Sequence, residues 1–250
     1  MGARPDLTYA TVDGHDLALD LFLPAAQPTP VPAVVLVHGG GWHAGARQQF
    51  AWHAADLASR GYVAASVSYR LLDVAGFPAC FDDCQTAVAW LQTHAPELNL
   101  DPTRIGAVGS SAGGHLAALL GARAPQVQCV VDYHGIHDFT TLPDDKLADV
   151  LDTLFAGPRA TTEPLRRDAS PALWVDARSA PMLLFHDPDD PTVPYDQSVQ
   201  LATALLQAHR PVSLIPVPGA SHGFCYDPQN GWLQRTWPLA VQWLAWHLGR

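Results

Sequence analysis

Basic residues are scarce and scattered: 14 Lys and Arg stand against 24 Asp and Glu, a formal net charge of −10, with no Lys/Arg cluster anywhere. Such a chain lacks the electrostatic footprint that phosphate backbones require, so nucleic acid is excluded as an expected partner. Also missing is any uninterrupted apolar run of roughly 18 residues, the length that crosses a bilayer. The first ten residues carry no apolar stretch resembling a signal sequence. A soluble, cytoplasmic protein with no membrane partner is the expectation. There are four cysteines, Cys80, Cys84, Cys129 and Cys225. Cys80 and Cys84 fall four apart in a predicted helix, where a disulfide is geometrically awkward, and no second pair follows at metal-site spacing. Reduced structural thiols are expected. Internal repeats are absent, and no low-complexity segment occurs beyond the Pro-rich stretch Pro24 to Pro32.

What is present is apolar: 48% of the 250 residues are hydrophobic and only 15% charged, enough for a substantial core in one domain spanning 1–250. Leu7 to Val12 and Asp16 to Leu23 flank Asp13-Gly14-His15 and read as an antiparallel hairpin. Short apolar runs at Ala33 to Val37, Tyr62 to Tyr69, Arg104 to Gly109, Val127 to Tyr133, Pro181 to His186 and Val212 to Val217 read as strands. Helices are predicted at Gln48 to Arg60, Pro78 to His94, Ala112 to Gly121, Gln197 to Gln207 and Pro238 to Leu248. Alternation of this kind implies an α/β fold, a mostly parallel sheet with helices on both faces and the hairpin as its antiparallel edge. One amphipathic helix, Pro143 to Gly157, falls outside the alternation. Its apolar face (Leu147, Val150, Leu151, Leu154, Phe155) either packs on the body or forms a small lid within about 143–170.

The strand Arg104 to Gly109 runs into Gly109-Ser110-Ser111-Ala112-Gly113-Gly114 and then a helix, the context a G-x-S-x-G elbow requires. Ser111 is the candidate nucleophile. So sharp a reversal strains the backbone at the serine and crowds the residues two before and two after it, which explains Gly109 and Gly113. Ser110 lies outside the paired glycines and is read as structural. The opening of the following helix aims free N–H groups at the site of a developing oxyanion, and Ala112 N–H is one donor. His38-Gly39-Gly40-Gly41-Trp42 follows the first parallel strand, and its glycines let backbone N–H groups approach an alkoxide; Gly40 and Gly41 are the further donors. Trp42 is placed beside the acyl pocket.

The acid and the base should lie on loops after later strands, in the order Ser, Asp or Glu, His. His222, in a Gly-flanked loop after the strand at Val212, is the candidate base. The acid is one of Asp187, Asp189 and Asp190. Other histidines have bland readings: His94, His115, His209 and His247 as packed or solvated, His134 as a pocket-lining, substrate-binding residue. His38 and His43 have no metal-type companions, and the pair His134 and His137 needs a third ligand, so no metal is expected.

Taken together, His38 to Trp42, Ser68-Tyr69-Arg70-Leu71, Phe77-Pro78, Asp101-Pro102 with Arg104-Ile105, Gly109 to Leu116, Ala169-Ser170-Pro171, Asp190 to Pro194 and Ser221 to Phe224 carry a resemblance. The chain resembles the α/β-hydrolase-fold serine esterases related to hormone-sensitive lipase, and within them the group associated with acetylxylan and feruloyl esterases. The family's H-G-x-x-D-x-x-V-P pattern aligns with His186 to Pro194 and implies Asp190 as the acid, although Asp187 stands where the pattern carries Gly. The resemblance implies a cofactor-independent carboxylesterase acting on a small-molecule ester through Ser111, His222 and Asp190. A short stretch before His38 implies no large cap, an open pocket and short acyl groups. Aryl formamide cleavage and deacylation of carbohydrates, acetyl or feruloyl, are the alternative activities. A dienelactone-type hydrolase would carry Cys at the elbow and a dehalogenase Asp, so Ser111 argues against both. A non-catalytic binding protein on the same fold would be expected to lack a triad member. Oligomeric state is left open.

Overall fold

The computed structural model describes residues 2–142 and 147–249. Its eight strands form one sheet: β1 (Gly2–Val12), β2 (His15–Leu23), β3 (Val31–Val37), β4 (Val63–Val67), β5 (Leu100–Ser110), β6 (Val127–Tyr133), β7 (Met182–His186) and β8 (Val212–Pro216), in the order β1-β2-β4-β3-β5-β6-β7-β8. β1 and β2 are antiparallel, and β2 joins β4 antiparallel; every later pairing is parallel. This is the expected α/β-hydrolase fold with its antiparallel N-terminal hairpin. The hairpin turn is tighter than expected, because Asp13 and Gly14 both take positive φ and His15 already pairs with Val12. That is the two-residue reversal whose twist suits right-twisted strands.

Eight helices surround the sheet among the described residues: α1 (Ala51–Ser59), α2 (Ala79–Thr93), α3 (Ala95–Leu98), α4 (Ala112–Arg123), α5 (Ala148–Leu154), α6 (Arg159–Asp168), α7 (Asp196–Gln207) and α8 (Gly231–His247). The two-residue period of a strand divides the core. Val34 and Leu36 of β3 face Leu57 of α1 and Trp237 and Leu244 of α8, whereas Val35 and Val37 face Cys84 and Leu91 of α2, Leu116 and Leu120 of α4 and Leu201 of α7. All four cysteines are free and buried.

Several elements differ from expectation: β1 begins at Gly2 and β5 at Leu100, ahead of Leu7 and Arg104, and α3 and α6 are helices that were not expected. The helix expected from Gln48 begins as a 3-10 turn, Arg47–Phe50, before α1. α8 starts seven residues ahead of Pro238: Asn230 caps it by accepting the Trp232 N–H at 2.8 Å, and burial of Leu233 and Trp237 outweighs the proline inside the helix. α6 is polar along most of its length, with no apolar stripe to announce it. Of the helix expected over 143–157, residues 143–146 lie outside the described residues; α5 occupies only Ala148–Leu154 of the rest and stops short of Gly157, with Leu151 and Leu154 buried and Phe155 buried just beyond it.

Candidate active site

The chain runs from β3 out to β4 on one side and returns to β5 on the other, so the order reverses between β3 and β5. Ligands of open α/β sheets collect at such a switch point, beyond the carboxyl ends of the strands. The glycine loop leaves β3 there and Ser111 leaves β5. Ser111 has φ 55° and ψ −120°, a sparsely populated backbone conformation for a residue with a side chain. A Cβ on Gly109 would run into the carbonyl of Gly113, and one on Gly113 into the carbonyl of Val37, so the turn closes only because neither residue has one. Ser111 N–H is tied to Tyr133 O at 2.8 Å, fixing the elbow to β6.

Peptide planarity orients the glycine loop. Gly39 O accepts from His38 Nδ1 at 2.7 Å, so the Gly40 N–H of that same peptide points the opposite way. Gly40 O accepts the N–H groups of His43 and Ala44 at 3.2 and 2.9 Å, which turns the Gly41 N–H outward in the same manner. Gly40 and Gly41 have φ of 116° and 59°, and both border the cavity that opens above Ser111. The loop is braced from outside. Gly39 N–H donates to Tyr226 Oη at 2.7 Å, Tyr69 Oη donates to His38 O at 3.0 Å, and Trp42 Nε1 donates to His115 Nδ1 at 3.2 Å while His115 Nε2 reaches Ala169 O at 2.8 Å. Burial holds His38 below the ordinary histidine value, opposed by its bond to Gly39, and pushes His115 down to about 3.

Across the cavity, His222 Nε2 lies 2.9 Å from Ser111 Oγ and its Nδ1 lies 2.7 Å from Asp190 Oδ2. Asp190 also accepts the N–H groups of Thr192 and Val193 at 2.7 and 3.0 Å, with His186 Nε2 at 3.5 Å. Burial alone would raise its pKa. Bonds from His186, His222 and the Val193 backbone outweigh that and hold the carboxylate far below its usual range. Asp187 faces another way: its two oxygens accept Gly219, Asp189 and Ser221 N–H groups, stapling the loop that carries His222. Asp189 is exposed.

The cavity measures about 340 Å³, with Trp42, Ile136, Val193 and, from the α5 side, Leu147 and Val150 as apolar walls; His134 also borders it. Ser111, Asp190, His222, Gly40, Gly41, Trp42 and His134 are thus brought to one place, and Ala112 opens α4 beside Ser111. Two contributors were missed from sequence, His115 and Tyr226. His115 looked like an ordinary helical histidine, and Tyr226 had no signal beyond lying four residues after His222. The pair His134 and His137 is not joined by a third ligand among the described residues, where His137 Nε2 lies 3.1 Å from Asp132; ligand atoms of a different trio, His134, Asp190 and His222, lie within 4.8 Å of one another. Each residue already has a hydrogen-bonding partner, so the cluster reads first as a hydrogen-bonded assembly.

Strand order, elbow and glycine loop define an α/β hydrolase of the hormone-sensitive-lipase-like esterase type. The chain belongs to the BD-FAE family, whose model matches residues 19–205. It is 31% identical over 243 residues to esterase LipC of Mycobacterium tuberculosis, covering 89% of this chain and 59% of LipC. It is equally 31% identical over 243 residues to an ethyl acetate hydrolase of Pseudomonas putida, covering 88% of this chain and 74% of that protein. Among solved structures, the thermophilic esterase Est2 of Thermogutta terrifontis superposes with a TM-score of 0.82 at 31% identity, over 96% of this chain and 91% of the other. No helix among the described residues is long and apolar enough to cross a membrane.

Proposed function

We propose that the protein is a serine carboxylesterase hydrolysing small esters with short acyl groups. The observation that carries the reading is the continuous line Ser111, His222, Asp190, with spacings of 2.9 and 2.7 Å, at the floor of a cavity rimmed by the glycine loop. Ser111 Oγ attacks the ester carbonyl carbon as its proton passes to His222 Nε2. The carbonyl oxygen becomes an alkoxide bound by N–H groups of Gly40, Gly41 and Ala112. Collapse breaks the bond to the alcohol, which leaves with the proton from His222. Water then attacks the acyl-serine, His222 takes its proton, and the acid departs as Ser111 is restored. Asp190 holds His222 in the tautomer that presents a bare Nε2 to Ser111 and stabilises the imidazolium.

Short acyl groups are favoured because the cavity is small and apolar, with α5 against one wall. The relatives point the same way: one acts as an ethyl acetate hydrolase, and Est2 has been solved with propionate and with butyrate bound. Trp42 and His134 border the substrate pocket in this reading, α5 is its small lid, and 1–250 is one catalytic domain. Hydrolysis of p-nitrophenyl acetate, butyrate and octanoate by the wild type and by Ser111→Ala, beside an aryl formamide, tests it. Acetate or butyrate turnover that disappears in the variant is expected. Turnover that persists without Ser111, or confined to the formamide, refutes the assignment.

A further inference from the structure

His134 touches the base more closely than a pocket wall needs to. It follows β6 directly, has φ 46°, and is fully buried. Its backbone N–H donates to Phe185 O at 2.9 Å, pinning it to the neighbouring strand. The ring centroid lies 4.2 Å from that of His222 at a tilt of 48°, with Phe224 edge-on at 5.6 Å and His186 at 6.3 Å. Nε2 accepts the Gly223 N–H at 3.3 Å. A neutral imidazole that accepts at Nε2 carries its proton on Nδ1.

The loop bearing His222 is held at both sides of that residue, by different means. Ser221, on one side, has φ 61° and gives its N–H to Asp187 Oδ2 at 2.9 Å. Gly223, on the other, has φ 80° and gives its N–H to His134. Both flanks take the left-handed conformation, a strained one for Ser221, so external ties keep the loop in place. Without the His134 acceptor, nothing in the hydrogen-bond pattern around Gly223 N–H replaces it, and the imidazole loses the ring face it leans on.

We infer that His134 is a positioning residue for His222, fixing the far arm of the base loop through Gly223 N–H and packing its ring against the imidazole. The inference rests on the serine-esterase reading. Burial and the neighbouring rings of His222 and His186, against the opposing charge of Asp190, keep His134 neutral well below the ordinary histidine value, so it keeps an acceptor and adds no charge beside the imidazolium. Misplacing a reacting group by about 1 Å is enough to slow a reaction about a hundredfold.

Two variants separate the possibilities, assayed on p-nitrophenyl butyrate. His134→Ala removes acceptor and ring, and kcat should fall about tenfold to a hundredfold with KM within about threefold. His134→Gln offers an amide oxygen to Gly223 N–H and should recover most of the lost kcat. A rise in KM with kcat intact would make His134 a wall and nothing more; equal kcat losses in both variants would remove the hydrogen bond from the argument. A wild-type spectrum correlating imidazole nitrogens with ring protons tests the contact without a variant or an assay. It should show His134 neutral with its proton on Nδ1 at about pH 7, and a proton on Nε2 overturns the inference. Turnover independent of Ser111 would instead sink the esterase reading while leaving that spectrum unchanged.

Discussion

Replacing His53 by leucine should flatten the acid side of the stability profile. His53 is fully buried in α1, with Phe50 and Trp237 rings edge-on at 5.0 and 4.7 Å. Burial pushes its pKa down from 6.5 to about 4, against the opposing charge of Asp56 and a contact with the Cys225 backbone. Between those values the unfolded chain binds a proton that the folded chain refuses. The neutral ring's stability is therefore fully present above about pH 6.5 and drains as pH falls toward 4. A shift of about 2.5 units at about 1.4 kcal/mol each sets the whole effect at about 3 to 4 kcal/mol, of which about 2 kcal/mol is lost by pH 5. Leucine is close in volume and cannot be protonated.

Other groups titrate in the folded state too, His115 among them with its pKa pushed to about 3, so the wild-type slope alone cannot isolate His53. The difference between the two proteins can. Urea unfolding at about pH 7.5 and about pH 5, followed by tryptophan fluorescence, should show the wild type losing about 2 kcal/mol more than His53→Leu between the two conditions. Parallel losses would refute the reasoning, because they would mean that His53 gains its proton in the folded protein as readily as in the unfolded chain.

The site makes further predictions. Ser111→Gly should abolish turnover yet melt above Ser111→Ala, since glycine relieves a backbone conformation whose strain costs about 1–3 kcal/mol; equal melting temperatures would show that no strain is stored at φ 55°. Asp190→Asn should cut kcat about a thousandfold to ten-thousandfold with little change in KM, by letting His222 turn the wrong nitrogen to Ser111; a minor loss measured under saturating butyrate would assign the acid elsewhere. Tyr226→Phe leaves the Gly39 N–H without its partner, and calorimetry should register a loss of about 1–3 kcal/mol together with a lower kcat. Val150→Ala should raise the octanoate-to-butyrate rate ratio severalfold, and an unchanged ratio would remove α5 from the acyl wall.

What could be read from sequence was whatever local geometry dictates. The elbow announces itself because only glycine can stand at 109 and 113, and β3, β6 and β7 announce themselves as short apolar runs between turns. What escaped depends on partners far away in the chain. Tyr226 meets Gly39 across 187 residues, and His115 braces Trp42 across 73, with no periodicity or spacing to reveal either contact. The choice among three aspartates after β7 was similarly closed to residue-level reading. Asp187 and Asp190 are both buried and both accept several hydrogen bonds, and they differ only in which way the loop turns each carboxylate. The resemblance pointed to Asp190, the residue that lies against His222.

Sheet register explains why the residue after β6 came to touch the base. Ser110 pairs with Tyr133, Tyr133 with Phe185 and His186 with Pro216, so β5, β6, β7 and β8 end at one level. Adjacent strands are about 4.8 Å apart, so a loop leaving β8 must cross about 14 Å, over the ends of β7 and β6, before its histidine reaches a serine leaving β5. Whatever follows those two strands becomes the floor on which the loop rests. After β7 the floor is Asp187 and Asp190, one binding the loop's backbone and the other its imidazole. After β6 it is His134, and an imidazole there can do what an aliphatic side chain cannot: accept the Gly223 N–H while presenting a flat ring to His222. The long reach of the loop that carries His222 thus makes the end of β6 a position whose side chain meets both that loop's backbone and its imidazole.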